Sequence, residues 1–317
     1  MKIWSSVFIF LLLFVVTLSG CSGAAQVASP TTAPTAITGV LMLTDGLGRT
    51  IEFDQPASKI ISIAPSNTEI LFAIGAGDQV IARDEFSDYP EAAKQLTSVG
   101  GGFGALDMEK MVSLQPDLVL ASELTPAEQV DAIEKLGLKV FLLSNPQDID
   151  SMYQNLEIAG KITGKTVQAE ALVDALKKRA TAVDNALAET SDKPVVFYEI
   201  DSTDPNAPWT AGPGSFIGSL IDRSGGVNLG EKLKDAYAQI SIEQLLVDQP
   251  NIILVGDYTW GGVTAEDVMA RSSWMGLEAV KRGNVYIFDD NLVSRPGPRM
   301  VDGLETMAKL LHPELFK

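Results

Sequence analysis

The chain reads as an α/β protein of two lobes, each with a parallel-type sheet flanked by helices. One long backbone helix joins them. Three observations predict this. Short apolar runs alternate with helical stretches before Asp148 and again after Lys193, as in strand–helix–strand units. Between Asp148 and Thr190 the strand signal vanishes, and apolar residues recur at helical spacing. Finally, 108–120 aligns without gaps to 242–254 at a constant offset of 134 (243 − 109, 250 − 116), with the Glu, Gln, Pro and last Leu identical. The lobes therefore read as structural repeats. The expected organisation is a signal peptide over 1–20, a flexible tether over 21–38, an N-terminal lobe over 39–147, a linking helix over 148–192 and a C-terminal lobe over 193–317.

The first segment has Lys2, then an apolar run over 7–16, then Leu18-Ser19-Gly20-Cys21. That layout is a secretory signal peptide, too short for a stable span. Its ending resembles the lipobox of bacterial lipoproteins. The resemblance implies cleavage before Cys21 and lipidation of its sulfur, hence an exported protein held at the outer face of the cell membrane, periplasmic or cell-surface. Residues 22–38, rich in Ala, Ser, Thr and Pro, cannot bury enough apolar surface to order themselves and read as a tether.

After the tether, 40–43 and 51–53 flank Asp45-Gly46, a hairpin signal. A buried strand over 59–64 stops at Pro65. Ser66-Asn67-Thr68-Glu69 then predicts a capping-box start for a helix over 70–74. Further strands are predicted over 80–82, 118–121 and 140–143, and Thr125-Pro126 with Glu128 predicts a second capped helix. Met152, Leu156, Ala159 and Ile162, then Leu172, Leu176, Val183 and Leu187, mark the linking helix, which 161–166 with Gly164 breaks or merely bends. Strands over 195–198, 252–255 and 285–288 build the second lobe.

Composition narrows the chemistry. The 41 acidic against 24 basic residues give a net charge of −17, which argues against nucleic acid as a partner. The one cysteine allows no internal disulfide, and the one histidine, His312, reads as the end of the last helix. A Ser-His-Asp triad, a Cys/His zinc site and a Gly-x-Ser-x-Gly elbow are all absent from the sequence, so no catalytic residue, metal or cofactor is expected. Residues 100–105 formally satisfy G-x-G-x-x-A but read as a loop facing a ligand, with Phe103 its one large side chain. Asp201, Asp204 and Asn206 lack the glycine and distal glutamate of a calcium loop and read as a turn. Aromatic residues gather at strand ends and in loops: Phe86, Tyr89, Phe103, Trp209, Tyr237 and Trp260. In open α/β sheets ligands bind there, and aromatic rings supply flat apolar contact.

Residues 61–77, the Ser87-Asp88-Tyr89-Pro90 stretch and 114–120 resemble the N-lobe of helical-backbone substrate-binding proteins of ABC importers. Residues 280–290 and 294–305 resemble their C-terminal segment. Ser-Asp-Tyr-Pro is most similar to the vitamin B12 (cobalamin) binding proteins, while ferric-siderophore and haem receptors share the fold. The resemblance implies a monomeric binder, not an enzyme, with a ligand cleft between the lobes, that delivers a corrinoid to a permease dimer driven by a cytoplasmic ATPase. It implies Ser66, Tyr89, Phe103, Trp209, Tyr237 and Arg295 as ligand-facing, and Glu109 and Glu243 as permease-docking glutamates. The B12 proteins more often carry Trp where Phe103 and Tyr237 stand, and with Arg83, Arg295 and Arg299 available a ferric siderophore or haem is the alternative cargo.

Overall fold

A short antiparallel ribbon leads into the N-lobe. The computed structural model describes residues 40–316, all within one compact unit; the signal segment, Cys21 and the tether lie outside the described residues. Strands β1 (Leu41–Thr44) and β2 (Thr50–Phe53) pair around Asp45, whose Oδ1 accepts the N–H groups of Leu47 and Arg49 at 3.0 and 2.9 Å. Such local capture is why Asp favours turns.

β3 (Ile60–Ser62), β4 (Val80–Arg83), β5 (Thr97–Ser98), β6 (Leu118–Ser122) and β7 (Val140–Leu143) form a parallel sheet in the order β5-β4-β3-β6-β7. Helices α1 (Pro65–Ala73), α2 (Met108–Ser113) and α3 (Ala127–Lys135) lie between its strands in the chain. Two helix starts differ from expectation. α1 begins at Pro65 with Ala64 as N-cap, a residue with no side-chain acceptor; Ser66 and Glu69 therefore lie inside the helix, where Glu69 pairs with Arg299. α3 begins after Pro126, also without a side-chain cap, while the Thr125 N–H is used in a turn to the Ser122 carbonyl.

The segment between the sheets is two helices, not one. α4 (Ile149–Thr163) opens on an Asp148–Ser151 capping box and ends at Gly164 in the left-handed region, φ 69°. α5 (Thr166–Leu187) then runs 22 residues and packs against α4. At ~1.5 Å per residue it spans about 33 Å, so α5 alone is the long strut.

The second lobe has β8 (Val195–Glu199), β9 (Trp209–Ala211), β10 (Val227–Asn228), β11 (Tyr237–Gln239), β12 (Ile252–Val255) and β13 (Val285–Ile287). Its parallel sheet runs β10-β8-β12-β13, and β9 pairs with β11 as a separate antiparallel ribbon. Helices α6 (Phe216–Arg223), α7 (Ile242–Asp248), α8 (Tyr258–Gly261), α9 (Ala265–Ala270), α10 (Glu278–Arg282) and α11 (Met300–Leu311) complete it. None of the described helices is long and apolar enough to cross a membrane.

Both sheets are covered on each face, which explains their continuous apolar strands. Leu118 and Leu120 face one cluster, while Val119 and Ala121 face another; Val196 and Tyr198 divide from Phe197 in the same way. The largest cluster is continuous from the N-lobe sheet through α4 and α5 to α11, so the lobes share one core. Each fully buried aliphatic side chain in it contributes about 1.5–3 kcal/mol of transfer free energy. His312 caps α11 and is 1 % exposed, with Nε2 3.2 Å from the Gly225 carbonyl, a structural position.

The internal repeat extends to the backbone. α2 and α7 are capped by Asp107 and Ser241, whose side chains accept the N–H of Lys110 (2.9 Å) and Gln244 (3.2 Å). Each helix is followed by a left-handed glutamine, Gln115 at φ 49° and Gln249 at φ 47°, the two non-glycine residues with positive φ among the described residues. Such a conformation costs roughly 1–2 kcal/mol, so its recurrence at the same repeat position is a second mark of kinship between the lobes.

Candidate functional site

The C-terminal ends of the parallel strands in both lobes converge on a cleft of about 530 Å³. The N-lobe contributes the turn from Ile63 to Ser66 after β3, Phe86 after β4, the glycine loop before α2 and residues following β6. The C-lobe contributes Ile200 after β8, the start of α6, Tyr237 on β11 and Ser294 to Pro296. Strand-end loops of open α/β sheets commonly hold ligands.

Of the residues the sequence singled out, Ser66, Tyr237 and Arg295 line this cleft directly. Ser66 sits in the first turn of α1. Tyr237 packs edge-on against Phe216, with ring centroids 6.2 Å apart. Trp209 is not in the cleft wall, but the β9–β11 register places it on the same face of the ribbon as Tyr237. Phe103 stands fully exposed at the tip of Gly100-Gly101-Gly102, three consecutive left-handed glycines, and meets Phe86 edge-on at 5.0 Å. Phe86 in turn meets Trp260 of the C-lobe at 6.4 Å. These three rings form an aromatic rim bridging the lobes.

Tyr89 does not line the cleft and is exposed. Arg299 lies 4.0 Å above its ring and makes a forked contact with Glu69, Nε–Oε2 at 2.8 Å. Arg295 pairs with Asp88, stands 3.9 Å from Glu69 and lies 5.5 Å from the Trp260 ring. Arg83 lines none of the cleft; its guanidinium donates to the carbonyls of Ala93 (2.9 Å), Asp84 (2.7 Å) and Glu85 (3.1 Å). Every arginine offered by the sequence for an anionic ligand is therefore already occupied.

The acidic groups are less well compensated. Burial pushes the Glu69 carboxyl above its ordinary value, and the two arginines only partly pull it back. Burial likewise raises Asp84, which lines the cleft and accepts hydrogen bonds from Ser87 Oγ and the Phe86 N–H. Partial burial opposes the ionisation of Asp88, but Arg295 overcomes it and holds that carboxyl below the usual range. Behind the rim, Asp290 accepts Tyr198 Oη at 2.7 Å, Trp260 Nε1 at 3.3 Å and Ser294 Oγ, fixing a rim ring and a cleft residue at once. The sequence places Asp88 and Asp290 in stretches that carry the resemblance but does not show their roles, because Arg295, Tyr198 and Trp260 lie far from them along the chain.

Glu109 and Glu243 are both exposed, each the second residue of its helix, and each helix opens just after a cleft-lining stretch, Leu106 and Tyr237 respectively. Asp201 and Asp204 accept the N–H groups of Thr203 (2.9 Å) and Asn206 (3.0 Å), so both act in turns. Among the described residues no group of three His, Cys, Asp or Glu converges to hold a metal. The arrangement is suited to holding a small molecule between the lobes.

The family profile described as periplasmic binding protein matches residues 60–292. The chain is 30 % identical, over all of both chains, to YvrC of Bacillus subtilis, an uncharacterized ABC transporter substrate-binding lipoprotein. Among solved structures, the periplasmic vitamin B12 binding protein BtuF of Vibrio cholerae superposes with a TM-score of 0.70 at 27 % identity, covering 83 % of this chain and 99 % of that one. A possible iron-binding periplasmic solute-binding protein from Staphylococcus epidermidis gives a TM-score of 0.71 at 27 % identity, covering 81 % and 100 %.

Proposed function

This chain belongs to the periplasmic binding protein family and is a substrate-binding protein of an ABC transporter, not an enzyme; on that premise we propose that it captures cobalamin or a related corrinoid. One observation carries the choice of ligand: the arginines around the cleft are spent on Glu69, Asp88 and backbone carbonyls, while Asp84 remains in the wall. A haem, with its propionates, or an anionic ferric siderophore needs free cations. A corrinoid presents neutral carboxamides around a broad ring, which suits an acidic, hydrogen-bonding cleft rimmed by Phe86, Phe103 and Trp260.

In this reading Tyr237, Phe103, Trp209 and Tyr89 pack on the macrocycle and nucleotide base. Ser66 and Arg295 meet the ligand's neutral amide groups, Arg295 keeping Asp88 as its charged partner. Glu109 and Glu243 each dock on one subunit of a permease dimer powered by a cytoplasmic ATPase, and Cys21 carries the lipid that holds the protein, as a monomer, at the outer membrane face. The 39–147 and 193–317 lobes clasp the ligand between them. Calorimetry with cyanocobalamin, haemin and a ferric hydroxamate tests the reading. A dissociation constant for cyanocobalamin below ~10 µM, about −7 kcal/mol, and at least about tenfold tighter than the others, is expected. Tighter binding of haemin or the ferric chelate overturns it.

A further inference from the structure

Beyond Trp260, on the C-lobe side of the rim, lies a second cavity of about 470 Å³. Two loops at the ends of neighbouring parallel strands enclose it: Ile200 to Thr203 after β8, and Asp257 to Val263 after β12. Ile200 also lines the main cleft, so the compartments share a wall.

Asp257, in that wall, is 6 % exposed. Its Oδ2 accepts the Ser202 N–H at 2.8 Å and Ser202 Oγ at 2.7 Å. Its Oδ1 accepts no hydrogen bond, and the carboxylate has no ion-pair partner, among the described residues. The arginine beside it, Arg271, is committed to Glu199 (Nη2–Oε1 3.1 Å) and to Ser202 Oγ (2.7 Å), and touches Asp257 only through that serine. Glu199 and Arg271 cancel, which leaves Asp257 a buried carboxylate without a counter-charge. Oδ1 is open to the cavity, and an unpaired carboxylate oxygen there is a ready acceptor for a donor on a ligand. Space beside Oδ1 is kept open by Gly261, where a Cβ would lie 2.2 Å from that oxygen. Asp201 and the exposed Thr203 complete an acceptor-rich wall, with no basic residue lining the cavity.

We propose that this compartment is a ligand subsite in which Asp257 Oδ1 accepts an N–H donor, carried on the corrinoid as a primary carboxamide arm, and rejects a carboxylate arm. The inference rests on the corrinoid reading and deepens it by naming the feature that separates an amidated ligand from its acid. Sites built to hydrogen-bond one group discriminate strongly against a mismatched one.

The test uses the singly hydrolysed cyanocobalamins, each with one carboxamide converted to a carboxylate. One isomer should bind the wild type about tenfold more weakly than cyanocobalamin, and Asp257→Asn should reduce that discrimination to about threefold or less. Equal binding of all isomers by the wild type, or discrimination that survives in D257N, overturns the subsite. A second arm needs no corrinoid. Titrating the ¹⁵N-labelled protein with methylammonium should shift the Ser202, Thr203 and Gly261 amides in the wild type but not in D257N, and acetate should not shift them. Those shifts without cyanocobalamin binding would sink the corrinoid reading and leave the subsite standing; their absence sinks the subsite. Should D257N fail to fold, Thr203→Tyr, filling the compartment from its exposed rim with Asp257 intact, should abolish the same shifts.

Discussion

Glu69 and Arg299, 230 positions apart, meet in a forked ion pair across the two lobes, Nε–Oε2 at 2.8 Å and Nη2–Oε1 at 2.5 Å. Both side chains are largely buried, at 2 % and 14 % exposure. Arg299→Met leaves a buried carboxylate uncompensated and should cost about 3 kcal/mol or more in urea unfolding. Adding Glu69→Met should recover most of that loss. A cost below about 1 kcal/mol for R299M would rank the pair with ordinary surface bridges.

The pH dependence of stability follows from the buried acids. Burial is the first cause holding Glu69, Asp84, Glu199 and Asp290 above the ordinary carboxylate range. A carboxyl whose folded pKa is raised contributes stability that is fully present below its unfolded value, about 4, and lost as pH rises through the folded value. Asp148, held down by Ser151, works the other way, its contribution vanishing as pH falls through its depressed value. The urea midpoint should therefore decline from mildly acid pH toward neutrality, and Asp290→Asn should flatten the decline. A midpoint climbing steadily between pH 5 and 7 contradicts this.

Glu109 and Glu243 occupy matching second positions of α2 and α7. For either alone, attraction to the helix N-terminus explains an exposed glutamate. A pair at one repeat position is what a two-fold symmetric permease would engage, each through a charge-assisted contact with an arginine. The double reversal Glu109→Lys, Glu243→Lys should leave ligand affinity intact and abolish uptake by cells. Normal uptake at normal expression would make both surface decoration.

Phe103 is fully exposed at the tip of its glycine loop. Phe103→Ala should change unfolding free energy by no more than about 0.5 kcal/mol yet weaken cyanocobalamin binding about tenfold, through lost ring contact. Equal affinity of the variant removes Phe103 from the ligand site.

Cys21→Ala should shift the protein from the membrane fraction to the soluble one after processing. A single acyl chain binds membranes only marginally, so mass spectrometry of the mature wild type should find two or more on its N-terminus. Retention of the alanine variant in membranes would show that another element holds it.

The sheets were legible because their strands are local signals: Leu118 to Ala121 and Ile252 to Val255 are apolar on both faces and end at turn residues. So was the repeat, since Glu109, Gln115 and Pro116 recur as Glu243, Gln249 and Pro250 at one constant offset. Arg295 and Tyr237 were reachable through resemblance and do line the cleft. What escaped depended on distant partners. The spacing from Ser66 to Glu69 has the form of a capping box, but the helix starts at Pro65, which puts Glu69 at its fifth position, and nothing nearby announces that Arg299 meets its carboxylate there. Asp290 and Asp257 gain meaning only from folding, which brings Tyr198 and Trp260 to the first and leaves the second without a cation.

The continuous core through α4, α5 and α11, together with the Glu69–Arg299 and Asp88–Arg295 ties, joins the lobes by far more than a flexible hinge. A receptor so pre-assembled spends little of its affinity on rearrangement, and its empty and loaded shapes should differ slightly. Capture is then a matter of encounter alone, and the cargo has no internal spring to expel it. Unloading becomes the work of the membrane machinery, which must prise the lobes against these ties, so the strength of two interlobe ion pairs sets a threshold for the stroke that empties the cleft.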